Sequence, residues 1–517
     1  MAPNTQDHIR LKVSLLDILV IIWWLYIIVR TYFVDGTPCT EKLCIYTTLV
    51  SIYILFRFLF SVIPVKPNAL EYLILALSIF EMLYGIMQLI IGRSNHALYL
   101  ITGTFLNPGP YSASIAMGLA LSLYGLTHKN GKWEHRFYWG SILLGVLILA
   151  ITLSRSAIIA SAIITILIYR DKITGHRRFF VISVTLLLSV LLFIIKQGSA
   201  MGRLMIWSIS WDTLLHQPIW GYGVNGFEGA YADGLRRFFE TSLHIKAYAK
   251  YVDVTEYAFN DFIQIAIEQG LIGFSLGLSV VILIMLSLWR HNKPVFYSFH
   301  ALLLFALFSY PLQLMPYQAF FVICAAYAGS EYTFSAILGH RLLFCLLCIG
   351  GCLSYVSIKN IIRIETAQKE FMILGIYQSA SLVSDYADLA PNLMESKRFL
   401  FAYAKVLTVS GRYLDSNAII TKGKQLSNDP MFDVIMGNNY ASMNFPEEAD
   451  SCYKAAHLQM PNRLYPLYKR IKLYQSMNNH QMARKLAREL EGFEPKIPSP
   501  ATRKMMKEID SIAVIKR

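Results

Sequence analysis

The sequence predicts an all-α membrane protein of about eleven transmembrane helices followed by a C-terminal α-solenoid. Three observations carry that reading. The 517-residue chain is 55% hydrophobic and only 15% charged, and its mean hydropathy of +0.45 is too apolar for an ordinary soluble protein. Apolar runs of about 20 residues recur, the length that crosses a bilayer as helix. From Lys359 onward the composition turns polar and repeats with a period of about 34 residues.

The spans fall near Val13–Val29, Ile45–Ile63, Ala69–Ile91, Tyr111–Leu126, Tyr138–Leu153, Ser156–Tyr169 and Phe179–Ile195. After a long polar loop come Phe262–Leu288, Val295–Tyr310, Ala319–Ile337 and Leu342–Val356. The first run has no small-residue cleavage site after it and reads as a retained helix. Basic residues set the orientation. Arg10 and Lys12, then Lys129, Lys132 and Arg136, then Arg170, Lys172, Arg177 and Arg178, then Arg290 and Lys293 all fall on one side by the span count. Such residues mark the cytoplasm. The N-terminus is then cytoplasmic, and the loop 196–261 and the chain after Val356 lie outside. The net charge of +14 sits largely in short loops, so it points to the bilayer and not to nucleic acid.

Two domains follow: 1–358 in the membrane, and 359–517 as helical repeats. In the second, Gly411-Arg412-Tyr413, Ala418 and Pro430 are echoed by Asn444-Phe445, Ala449 and Pro461, and again by Asn478, Ala483 and Pro495. The period is that of a tetratricopeptide helix pair. The alanines let paired helices approach, and the prolines end each unit. Such stacks usually present a concave surface to a protein partner; the alternative is a brace for the membrane domain.

The 7 cysteines lack zinc spacing. Cys324, Cys345, Cys348 and Cys352 read as packing residues in apolar runs, while Cys39 and Cys44 share a polar loop that permits a small disulfide. Asp35 stands alone in that loop and the outer loops hold no paired carboxylates, so neither metal nor cofactor is expected.

The loop 196–261 concentrates the chemistry. Arg155, after Thr152-Leu153-Ser154 in an apolar hairpin, is costly near lipid unless it is paired or faces a wet cavity; snorkelling to the headgroups is the alternative. Arg203 follows the seventh span. Together the two can hold a pyrophosphate through charge-assisted hydrogen bonds and stabilise the charge that develops as it leaves. Arg236, Arg237, Lys246 and Lys250 add charge suited to an anionic lipid carrier, or line a solvated helix. Tyr222, Tyr231, Tyr248, Tyr251 and Tyr257 offer sugar-stacking faces or an interfacial belt. Gly221 to Gly229 has no preceding strand and no Lys-Ser/Thr pair, so it is a turn through which the backbone approaches a ligand, not a nucleotide loop. A general base for a hydroxyl acceptor is available in His244, Asp253, Glu256, Glu228 or Asp261; His216, beside Pro218, reads as structural.

Five motifs then run in order. They are Gly103-Thr104-Phe105-Leu106-Asn107-Pro108; Leu153-Ser154-Arg155-Ser156; Gly202-Arg203 with Ile206-Trp207; Pro218 with Gly221-Tyr222-Gly223 and Phe227; and Ala258-Phe259-Asn260-Asp261 with Glu268-Gln269-Gly270-Leu271-Ile272-Gly273. In this order, around one outer loop, they resemble the O-antigen ligase and polymerase superfamily, in a form with tetratricopeptide tails seen in Bacteroidetes-type bacteria. The resemblance implies a GT-C-like fold in the bacterial inner membrane. It implies an undecaprenyl-pyrophosphate-linked glycan donor, metal-independent inverting transfer, and pyrophosphate binding at positions matched by Arg155 and Arg203. The family often has histidine before the asparagine of its last motif, where it activates the acceptor. Phe259 stands there in this chain. His244 or Glu256 is then the substitute base, or Asn260 and Asp261 orient an acceptor held elsewhere. Lipid A-core or protein is the expected acceptor, in lipopolysaccharide-type ligation. Repeat-unit polymerisation and protein O-oligosaccharyl transfer share the motifs. A scaffold or transporter is the competing class; a transporter calls for broken helices and polar groups at the bilayer midplane.

Overall fold

The computed structural model describes residues 11–34, 40–63, 66–172, 197–241, 245–331, 337–338, 340–375, 379–490 and 498–514, with isolated positions between them. Asp35, Cys39, Arg177, Arg178, His244, Pro495, the side chain of Lys246 and nearly all of the expected span Phe179–Ile195 lie outside the described residues.

Among the described residues, six helices are long and apolar enough to cross a membrane: Leu15–Phe33, Thr40–Val62, Asn68–Ile91, Lys132–Thr152, Asp261–His291 and Leu347–Leu374. The chain is a multi-pass α-helical membrane protein. Pro108–His128, Arg155–Ile168, Lys293–Ala306 and Met315–Glu331 complete the bundle among the described residues. These are shorter or less apolar because they pack against protein on several sides. Ala113, Ala116, Ala120, Ser112 and Ser122 of Pro108–His128 are all buried, and small residues let helices approach where lipid cannot drive them together.

Contacts gather the basic turns at one end of the bundle. Lys129 reaches Glu71 at 2.8 Å, the Arg170 guanidinium lies 5.9 Å over Trp289, and Tyr124 packs on Tyr297 at 5.6 Å. Leu11 and Lys12 pair antiparallel with Leu338 and Ile337, a two-residue ladder. Residues 197–241 and 245–261 sit at the other end, where Arg30 near the close of the first helix meets Trp220.

The helix His340–Leu374 runs 35 residues without a break, about 50 Å at 1.5 Å per residue. The boundary expected at Val356 to Lys359 therefore falls inside a helix. Its far end joins the repeat core: Ala367 and Phe371 pack with Tyr386, Phe399 and Tyr403. Four helix pairs follow: Val383–Leu393 with Lys397–Val409, Tyr413–Leu426 with Met431–Ser442, Pro446–Gln459 with Leu464–Ser476, and His480–Glu489 with Pro500–Val514. The repeat is marked by left-handed turn residues, Gly411 (φ +78), Asn444 (φ +63) and Asn478 (φ +58), which glycine and asparagine tolerate best. Ala449 and Ala483 are buried as expected, but Ala418 is exposed. Ser416 fills the equivalent place; it is fully buried, and its hydroxyl donates to the Ala404 carbonyl at 2.9 Å.

Candidate functional site

The site is built on a broken helix. Asp261–His291 is interrupted at Gly270, where φ is 64° and ψ −176°. A break orphans backbone groups that must find other partners. The loop supplies them: Tyr222 N–H donates to the Ile267 carbonyl and Gly223 N–H to that of Glu268, each at 2.8 Å, while Leu271 N–H donates to the Pro218 carbonyl at 2.7 Å. The two chains approach so closely that a Cβ on Gly221 would lie 2.4 Å from Gly270 N, and one on Gly270 would lie 2.1 Å from Ile219 O. Both glycines also hold positive φ. Arg30, 1% exposed, clamps the loop with Nε to Trp220 O at 2.8 Å and Nη2 to Gly221 O at 2.6 Å. Trp23 donates to Gln269 Oε1 at 2.7 Å and the Tyr26 hydroxyl to the Gln269 carbonyl. The glycine turn does bring the backbone close to something, but that is the protein's own broken helix. Tyr222 belongs to this lock, and its hydroxyl reaches the Thr213 carbonyl at 3.3 Å.

Beside the lock lies an arginine pocket. Leu153 in the left-handed region (φ 48) ends Lys132–Thr152, and Arg155 opens the next helix. Arg155 Nη2 donates to Ser199 Oγ at 3.1 Å. Arg203 Nη1 donates to the Phe308 carbonyl at 2.7 Å, and its guanidinium lies 4.9 Å over the Phe259 ring. Trp207 Nε1 donates to the Ala258 carbonyl at 3.0 Å, fixing the turn that presents that ring. The pocket is about 180 Å³, lined by Arg155, Ser156, Arg203, Trp207 and Phe308 among others, with no carboxylate among its described lining residues. Burial, with Arg155 adding like charge, pushes the Arg203 guanidinium down to about 10. A bound anion would relieve both effects.

Asn260 and Asp261 do not line the pocket but hold the chain next to Phe259 and Phe308. The Asn260 side chain caps the helix, accepting from Phe262 N–H at 3.0 Å and Ile263 N–H at 3.1 Å. Asp261, fully buried, accepts from Leu312 N–H at 2.8 Å and Gln313 Nε2 at 3.4 Å, holding the turn that follows Phe308.

Residues 98–278 match a family described as O-antigen ligase. The chain carries an O-antigen ligase domain. The match includes both arginines of the pocket, both glycines of the lock and the Asn260 cap. No curated protein matches the chain.

The remaining candidates face the seam between the ligase domain and the repeats. Arg236 binds Asp233 at 2.8 Å, Asp433 at 2.6 Å and Gln459 at 2.8 Å, and Arg237 reaches Asp212 at 3.4 Å. Neither lines the arginine pocket. Lys397 grips Glu228 at 2.6 Å and Glu256 at 2.8 Å. Burial raises the Glu228 carboxyl above its ordinary value, with Lys397 opposing. Tyr257 stacks on Tyr310 at 4.0 Å, and Tyr310 meets the Phe259 ring edge-on at 5.5 Å. Glu256 is thus one aromatic stack from Arg203. Tyr231 is buried on Phe227 and has no free face for a sugar. Sequence reasoning missed Arg30, Phe308 and Lys397. Arg30 carried a signal as a charge inside an apolar run. A backbone carbonyl and a solenoid lysine carry none.

Proposed function

We propose that this protein moves a glycan from undecaprenyl pyrophosphate to a lipid A-core or protein acceptor on the periplasmic face of the inner membrane. The observation that carries the reading is the Arg155–Arg203 pocket, cationic and half-buried, inside a domain whose family implies glycan transfer of ligase or polymerase type. The donor pyrophosphate binds the two guanidiniums. The acceptor oxygen bonds to the anomeric carbon from the face opposite the leaving group, inverting it. The carbon–oxygen bond to pyrophosphate breaks, its electron pair stays with the lipid pyrophosphate, and the hydroxyl proton passes to a base, for which Glu256, exposed and next in sequence to the stacked Tyr257, is the candidate. The arginines offset the developing charge, so no metal is required. The basic turns at the opposite end of the bundle support a cytoplasmic N-terminus and a periplasmic, tetratricopeptide-like solenoid.

The break at Gly270 is a feature a transporter would also use. Here its freed carbonyls are met by Tyr222, Gly223 and Tyr26, which favours a fixed platform over an ion site. The deciding experiment incubates purified protein with lipid-pyrophosphate glycan and chelator, adding lipid A-core, an acceptor protein, or nothing. A glycan–lipid or glycan–protein product establishes ligation, and longer glycans from donor alone establish polymerisation. No product from folded protein that binds donor rejects the enzyme reading.

A further inference from the structure

We propose that the cleft between the ligase domain and the solenoid is the acceptor-sugar site, with Lys397 of the solenoid as its positioning residue. This rests on the glycan-transfer reading above. The cleft, about 310 Å³, lies where three parts of the chain meet: Lys42 and Glu268 from membrane helices, Glu228, Glu256 and Tyr257 from the loop region, and Lys397 from the solenoid. Carboxylates outnumber cations along its lining, with side-chain amides between them. Its charge is therefore opposite to that of the arginine pocket, and ring contacts link the two, from Tyr257 in the cleft through Tyr310 and Phe259 to Arg203 in the pocket. A phosphate is drawn to one side and repelled from the other. A neutral, hydroxyl-rich sugar fits the anionic side: carboxylates accept its hydroxyl protons, while lysine and amides donate to its oxygens.

The solenoid fixes this wall. Asn462 Nδ2 donates to the carbonyls of Ala249 at 2.8 Å and Val252 at 2.9 Å. Asn428 Nδ2 donates to Thr255 O at 2.6 Å. Lys397 then holds the next residue, Glu256, together with Glu228. The segment that carries Glu256 and Tyr257 is thus tethered at four carbonyl or carboxylate groups by the repeats. Removing the ammonium leaves two carboxylates to repel each other and the wall to shift.

The test uses the full-length protein in detergent, with Lys397→Met and, as a milder change that keeps the side chain's shape and spares the proposed base, Glu228→Gln. Probes are undecaprenyl pyrophosphate, a neutral hexose trisaccharide and its uronate-containing counterpart, with sugar binding followed by saturation-transfer NMR and transfer kinetics measured alongside. Each variant is expected to weaken trisaccharide binding and raise the acceptor KM about tenfold, the scale of a lost hydrogen bond to a charged group. Undecaprenyl pyrophosphate binding should stay unchanged, and the uronate should bind more weakly than the neutral sugar. Wild-type sugar binding and KM in both variants, or equal binding of neutral sugar and uronate, overturns the assignment. Cleft-dependent sugar binding without any transfer upholds the site and counts against the ligase reading, so the two failures are distinct.

Discussion

Arg203 and Arg236 lie in the same loop region, and their surroundings are opposite. Arg236 meets two carboxylates and an amide, and one of those carboxylates, Asp433, is 1% exposed and also binds Lys424 at 2.6 Å. Arg203 donates to a carbonyl and a hydroxyl and rests on a ring. The first is a clasp whose charge is already balanced. The second is a cation held in position with room for an anion. An arginine's role follows from what remains unbalanced around it, and residue type says little about that.

The largest effect should come from removing the unbalanced cation. Arg203→Ala is expected to lower transfer about 10²–10³-fold, the scale of losing one charge-stabilising group, with Tm nearly unchanged. Arg236→Ala should do the converse, lowering Tm while transfer by the folded fraction stays near wild type. Loss of transfer by a fully folded Arg236→Ala protein would break the comparison. Next is the platform on which the pocket stands. Gly270→Ala forces a Cβ against Ile219 O and a positive φ on a residue that resists it. The expected cost is about 3 kcal/mol or more, read as loss of monodisperse protein in detergent. Asp433→Ala comes third. It leaves Arg236 and Lys424 facing each other across a buried seam, at about 3 kcal/mol. Limited proteolysis should then release the C-terminal helix pairs before residues 98–278 are cut; equal cutting rates in wild type and variant would show that the clasp is not what holds those helices.

Much of this architecture was legible because it is periodic. Apolar helices and the spacing of the left-handed turns come from runs and periods that any one residue barely perturbs. That Arg155 and Arg203 stand out was legible because charge beside apolar sequence is conspicuous, and the structure places both on one pocket. Arg236 looked the same as Arg203, since its partner Asp433 lies 197 residues further along the chain and spacing cannot reveal it. The slip from Ser416 to Ala418 has a similar cause: the repeat is anchored on the left-handed turn, and matching alanine to alanine moved the register off it. The helices at the bundle centre read from sequence as spans like the others, although in the structure they are shorter or less apolar and pack largely against protein.

The C-terminal helix pairs sharpen the comparison in another way, through pH. His457 Nδ1 is buried with no hydrogen-bond partner among the described residues. Burial, with Arg470 adding like charge, pushes its imidazole down to about 4 from an ordinary 6.5. The folded state therefore binds fewer protons than the unfolded state between those values. Stability is unaffected above pH 7, falls as pH drops through 6.5, and levels off near 4, with a loss of up to about 2 kcal/mol at pH 5. A His457→Gln variant should lose that slope in a Tm-against-pH series, whereas donor binding at Arg203 should be flat over the same range.

The smallest expected effect tests whether the Phe259 ring serves Arg203 or only fills space. Phe259 holds φ +52, a conformation that costs a bulky residue energy, so something must favour keeping a ring there. A cation over an aromatic face gains about 1 kcal/mol when partly desolvated. Phe259→Leu keeps most of the volume and the same backbone demand while deleting the face. Undecaprenyl pyrophosphate affinity should then fall about fivefold, with kcat at saturating donor and Tm almost unchanged, because the Phe308 carbonyl still holds Nη1. Equal affinity in the two proteins would mean that the carbonyl alone positions the guanidinium. In that case the contrast with Arg236 rests on the absence of carboxylates along the pocket and not on the ring beneath the cation.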